Sequence, residues 1–135
     1  MPSLSTQSRD KLMTCHPILI KIVLKLVKDY DVKVVDGYRD EAWQNEAFST
    51  GHSTKEWPDS THNEVPSRGI DIVPYPSIYE STEAFYVMAG RFMQIADDMS
   101  VMIRWGGDWD SDDDLHDQNF MDLGHFEVLL NPAEG

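Results

Sequence analysis

Four residues have the types and spacing to do chemistry together: His62, Asp71, Asp122 and His125. Zinc-assisted hydrolysis needs three protein donors from imidazole and carboxylate, a fourth position for water, and a nearby base to take that water's proton. His62 sits in Ser60-Thr61-His62-Asn63, and Asp71 lies inside the apolar run Gly69-Ile70-Asp71-Ile72-Val73. A carboxylate buried alone is costly, so Asp71 needs a partner, which a metal would provide. In Asp122-Leu123-Gly124-His125-Phe126-Glu127 an imidazole enters a strand three residues after a carboxylate, a spacing that can set both at one edge of a cavity. Taken singly, each residue has an ordinary explanation: a loop histidine, an ion-pair partner, a turn former and a satisfied core histidine.

The elements that must position these residues are read from periodicity. Ile18, Leu19, Ile22, Val23, Leu26, Val27 and Tyr30 recur at helical spacing, which predicts a helix over 17–30 with Pro17 in its first turn. A short β-branched strand follows over Val32 to Asp36, closed by Gly37. Asp40 is a good N-cap for a second helix carrying Ala42, Trp43, Ala47 and Phe48 and ending at Gly51. Residues 52–68 read as a long functional loop and Gly69 to Val73 as a strand. Thr82 caps a helix to about Met99 that buries Ala84, Phe85, Met88, Phe92, Ile95, Ala96 and Met99. Strands are expected over Val101 to Trp105 and His125 to Leu130, with an acidic loop between them. The expected fold is α+β, a small, mostly antiparallel sheet with flanking helices, and a single domain over 1–135.

Composition narrows the partners. The formal charge of −13 argues against nucleic acid and anionic lipid, both of which select basic surfaces. The 41% hydrophobic content suits a packed globule. The one cysteine, Cys15, cannot form an internal disulfide and reads as a small buried hydrophobe. There is no membrane-span-length apolar stretch and no secretory signal pattern, so the product is expected to be made in the cytoplasm without membrane insertion. A substrate outside the membrane would then require release by another factor.

Taken in order along the chain, several motifs resemble one peptidase family. They are Gly37-Tyr38-Arg39 with Gln44 following, Ser60-Thr61-His62 with Asn63, Pro66-Ser67-Arg68-Gly69-Ile70-Asp71-Ile72-Val73-Pro74-Tyr75-Pro76, Arg104-Trp105-Gly106-Gly107-Asp108-Trp109, and Asp122-Leu123-Gly124-His125-Phe126-Glu127. The sequence is similar to the D-alanyl-D-alanine carboxypeptidases and L-alanyl-D-glutamate endopeptidases, and most closely to the small phage endolysins among them. That resemblance implies a hedgehog/DD-peptidase-like fold. It also implies zinc held by His62, Asp71 and His125, with Asp122 as general base and Arg39 steadying the anionic intermediate or the substrate carbonyl. Ser60, Gln44 and Trp109 are expected to support the site from behind or to meet substrate, Ser60 by orienting it through a hydrogen bond. The implied substrate is a peptidoglycan stem peptide, cut at the L-alanyl-D-glutamate bond by a monomer with no separate wall-binding domain. Gly69 stands where alanine is usual, a small-for-small change expected to spare the site, and the aspartate base is one methylene shorter than the glutamate of many carboxypeptidases.

Two other readings come from neighbouring chemistry: a D-alanyl-D-alanine carboxypeptidase, and a zinc-containing binding module without catalysis. Asp122 argues against the silent module, since a structural zinc needs no base. The run from Asp108 to Asp114 suggests a calcium loop by its alternating carboxylates, but it lacks the glycine and glutamate of an EF-hand, which favours a solvated acidic loop. His16, His52 and His116 read as surface or helix-end residues. Trp43, Trp57, Trp105 and Trp109 read as core or cleft wall, with Trp57 also able to meet substrate.

Overall fold

The computed structural model describes residues 4–51, 53, 55–75, 82–106 and 123–129. Its helices are α1 (Thr6–Leu12), α2 (Pro17–Leu26), α3 (Glu41–Ser49) and α4 (Thr82–Asp98), with a 3-10 turn at Thr61–Asn63. Its strands are β1 (Val32–Asp36), β2 (Gly69–Pro74), β3 (Ile103–Trp105) and β4 (His125–Val128). They form one antiparallel sheet in the order β1-β2-β4-β3. This is the expected α+β class.

The alternation of β2 and β4 gives the sheet two chemically distinct faces. Ile70 and Ile72 of β2, with Phe126 and Val128 of β4, are buried in the core with Leu19, Ile22, Val23 and Leu26 of α2 and Phe85, Met88, Ala89, Phe92 and Ala96 of α4. The rings of Phe92 and Phe126 stack with centroids 3.9 Å apart. Asp71 and His125 alternate with those apolar residues and are register partners across β2 and β4. Period-two geometry therefore sends both to the face opposite the core.

Local chemistry explains the helix boundaries. Asp40 accepts from the Trp43 amide at the start of α3, as expected, and His16 caps α2 by accepting from the Ile18 amide. The predicted helix over 17–30 ends earlier, at Leu26, and continues as turns. The predicted strands over 101–105 and 125–130 are shorter, at 103–105 and 125–128, and Leu130 lies outside the described residues. No element was expected before Pro17, yet α1 forms there, capped by Ser5. Helix α3 turns a different side inward from the one its aromatics suggest: Gln44 and Ala47 are buried, while Trp43 is 52% exposed and Phe48 42%. Trp43 is thus neither core nor a buried wall. Among the described residues, no helix is long and apolar enough to cross a membrane.

Candidate metal centre and its supporting shell

The site gathers donors from three parts of the chain. His62 comes from the 3-10 turn, Asp71 from β2 and His125 from β4. His62 Nε2 lies 3.3 Å from Asp71 Oδ1 and 3.2 Å from His125 Nδ1, and His125 Nδ1 lies 2.8 Å from Asp71 Oδ1. A tetrahedral zinc with bonds of about 2.0–2.1 Å places its ligand atoms about 3.3 Å apart, which the two spacings to His62 match, while His125 Nδ1 and Asp71 Oδ1 lie closer together, at 2.8 Å. Two imidazole nitrogens and one carboxylate oxygen also suit zinc better than calcium or magnesium, which favour oxygen donors throughout.

The candidate donors are held from behind. His62 Nδ1 donates to the Gly37 carbonyl at 2.7 Å, which leaves Nε2 as the nitrogen with an available lone pair. Ser60 caps the 3-10 turn through the His62 amide, and Asn63 returns a bond to the Ser60 amide, forming a capping box around the ligand. The Arg39 amide donates to the His62 carbonyl at 2.8 Å. Gly37 is crowded by the Lys11 carbonyl and the Thr14 hydroxyl, so any side chain there would push this carbonyl away from His62.

Arg39 lies beside the Asp71 carboxylate. Its guanidinium donates to Asp71 Oδ2 at 2.8 Å, to Asp36 Oδ2 at 3.1 Å and to Gln44 Oε1 at 3.3 Å, with the side chain only 7% exposed. The two oxygens of Asp71 therefore have different surroundings, Oδ2 toward Arg39 and Oδ1 toward the histidines. Gln44 is fully buried and connects this network to the loop that follows α3. Its amide donates to Ser53 Oγ and the Lys55 carbonyl, and its oxygen accepts from Arg39 and Asn63. That burial gives Gln44 an orienting place and leaves it no surface for substrate.

The charges follow from these contacts. Burial alone would raise the Asp71 carboxyl, but the His62 charge and the hydrogen bonds from His125 and His62 outweigh it and hold the group well below the usual carboxylate range. Burial would lower His125, but its bonds to Asp71 and Glu127 and their charges push it up to about 9. For Glu127, burial is again opposed by His125 and Arg104, and the carboxyl is lowered.

Gly69 lies under three neighbours that a side chain would meet. A methyl group there would stand 2.5 Å from Thr61 Oγ1, 3.1 Å from His125 Cε1 and 3.3 Å from His62 Cδ2. Both imidazoles pack over the bare backbone here, so alanine would require the Thr61 hydroxyl to turn aside and the two rings to give by a few tenths of an ångström.

His62, Asp71, His125, Ser60, Gln44 and Arg39 are thus brought together. Asp122, Trp109 and the acidic run from Asp108 to Asp114 lie outside the described residues, as do His52 and His116. Reading the sequence gave no role to Asp36, Asn63, Arg104 or Glu127, all of which contact the network. Two signals were available for Glu127: it lies two residues from His125 on the same strand, and a strand's period of two puts both on one face.

Comparison with known proteins agrees with this arrangement. The family model described as phage L-alanyl-D-glutamate peptidase matches residues 2–129. The chain is 28% identical over 130 residues to the L-alanyl-D-glutamate peptidase of Escherichia phage T5, covering 90% of this chain and 94% of that protein. Its fold is similar to that of the Serratia marcescens L-Ala D-Glu endopeptidase ChiX, with a TM-score of 0.75 at 19% identity, covering 99% of this chain and 96% of the other. With the model spanning nearly the whole sequence, the chain belongs to the phage L-alanyl-D-glutamate peptidase family.

Proposed function

We propose that this protein is a zinc-dependent endolysin that hydrolyses the L-alanyl-D-glutamate bond of peptidoglycan stem peptides during host lysis. The observation that carries the metal reading is the convergence of His62 Nε2, Asp71 Oδ1 and His125 Nδ1 at spacings suited to a tetrahedral ion. Family membership supports the choice of bond over that of a D-alanyl-D-alanine carboxypeptidase. The match of one family model over 2–129 supports a single catalytic domain.

When bound, zinc supplies a Lewis acid that acidifies water and polarises the scissile carbonyl. In our reading, a carboxylate oxygen of Asp122 takes the proton of the attacking water and delivers it to the departing amine. Arg39 supplies positive charge beside the carbonyl oxygen as it becomes anionic, from a guanidinium whose place is set by Asp36, Gln44 and Asp71. Ser60 and Gln44 keep His62 and Arg39 in place, and Trp109 forms part of the substrate wall. The protein acts as a monomer on the wall after a separate factor releases it through the membrane.

Mass spectrometry of products from purified peptidoglycan tests the bond, with new amino-terminal D-glutamate expected. New carboxyl-terminal D-alanine with loss of one alanine would instead assign a carboxypeptidase. Metal analysis should give one zinc per chain. Absence of zinc together with chelator-resistant activity would refute the metal reading.

A further inference from the structure

Strand β4 carries a second carboxylate next to the proposed centre. Glu127 lies two residues beyond His125, so both point to the same sheet face, and His125 Nε2 meets Glu127 Oε1 at 2.9 Å. The other oxygen, Oε2, accepts from the Arg104 guanidinium at 2.7 Å. Arg104 is the register partner of Glu127 across β3 and β4, which makes this bond a product of strand pairing. On the other side of β4 the register partner of Glu127 is Gly69, whose missing side chain leaves room for the His125 ring.

Glu127 is itself buried, with its side chain 7% exposed. A carboxylate in such a place needs partners for both oxygens, and it has one on each side. A neutral imidazole that donates from Nε2 keeps its lone pair on Nδ1, the nitrogen lying between Asp71 Oδ1 and His62 Nε2.

We propose that Glu127, anchored by Arg104, is the positioning residue of His125: it holds the proton on Nε2 and aims Nδ1 at the metal. The inference rests on the reading of His62, Asp71 and His125 as zinc ligands. It makes the centre a relay of Arg104, Glu127 and His125 along β3 and β4, in addition to the three donors. Histidine ligands are oriented in this way by carboxylates, and loss of such a partner weakens metal binding by about 10–100-fold.

The test is zinc affinity by competition with a chromophoric chelator, on the full chain, for wild type, Glu127→Gln, Glu127→Ala and His125→Ala, with the visible spectrum of the cobalt-substituted protein as a second readout. Wild type should bind one zinc and His125→Ala should lose it. If wild type binds none, the ligand reading fails. Given wild-type binding, Glu127→Ala should bind about 10–100-fold more weakly and Glu127→Gln less tightly than wild type, each with an altered cobalt spectrum. Affinities within twofold of wild type with unchanged spectra would reduce Glu127 to a cross-strand ion pair and overturn the proposal. Should Glu127→Ala fail to fold, the near-isosteric Glu127→Gln decides by the same two readouts.

Discussion

Replacing Arg39 with alanine removes one guanidinium from between two carboxylates. Asp36 and Asp71 are register partners on β1 and β2, and Arg39 bonds both, at 3.1 and 2.8 Å. Breaking a buried ion pair by removing one partner costs about 3–5 kcal/mol. Because Asp71 and Asp36 keep 23% and 16% side-chain exposure, water recovers part of the loss and the lower end applies, about 3 kcal/mol. For a chain of 135 residues, an unfolding entropy of about 2.1 cal/mol/K per residue gives about 0.28 kcal/mol/K. Tm should therefore fall by about 10 °C, measured by calorimetry with a chelator present so that no metal contributes. Adding Asp36→Asn to this variant removes one of the two opposed carboxylates and should restore about 1 kcal/mol, or about 3–4 °C. Arg39→Lys keeps the charge without the planar fork and should fall between wild type and alanine. On a defined stem peptide, turnover of both variants should drop more than apparent affinity, as for a group that acts mainly on the transition state. A Tm change below about 2 °C for Arg39→Ala, or no recovery with Asp36→Asn, would refute the reasoning about the opposed carboxylates. A raised KM with unchanged turnover would place Arg39 in substrate binding alone.

Asp122→Asn should retain one zinc while turnover falls about 100-fold or more, and an unchanged rate would remove Asp122 from the mechanism. Gly69→Ala should displace the Thr61 hydroxyl and press on both imidazoles, lowering zinc affinity in chelator competition, whereas wild-type affinity would show that the packing gives way without consequence. Burial, with the Asp71 charge adding to it and a hydrogen bond with Thr14 opposing it, pushes the Cys15 thiol from 9.0 up to about 12. At pH 8 its thiolate fraction is then about 1000-fold below that of the unfolded chain, and folded protein should alkylate slower than denatured protein by at least that factor. Comparable rates for the two would contradict a closed environment around Cys15.

Hydropathy made some of this structure legible and concealed the rest for identifiable reasons. Helices α2 and α4 declare themselves because each buries a continuous apolar face, and the Asp40 cap marks α3. Helix α1 is Thr-Gln-Ser-Arg-Asp-Lys-Leu, with no apolar stripe. It is placed by tertiary contacts, such as the Ser8 hydroxyl accepting from the Val34 amide, that no local pattern encodes. The inward face of α3 was hidden because a polar residue occupies it. Gln44 is buried for its hydrogen bonds to Arg39, Ser53, Lys55 and Asn63, partners brought together only by the folded chain. The three donors were found through family motifs, while the bonds that orient them were not. Glu127 and Arg104 depend on strand register, and the close packing at Gly69 depends on two rings that approach from distant segments.

The order β1-β2-β4-β3 means that the strand between β2 and β3 is the one encoded after every other described element. During synthesis, β2 and β3 emerge before the partner that joins them, and His125 arrives on that same partner. A chain stopped before residue 123 would lack the middle of its sheet, the Phe126 ring that stacks on Phe92, and one donor to the proposed metal at once. Nascent and prematurely terminated copies should accordingly be harmless to the wall until the last strand has been made.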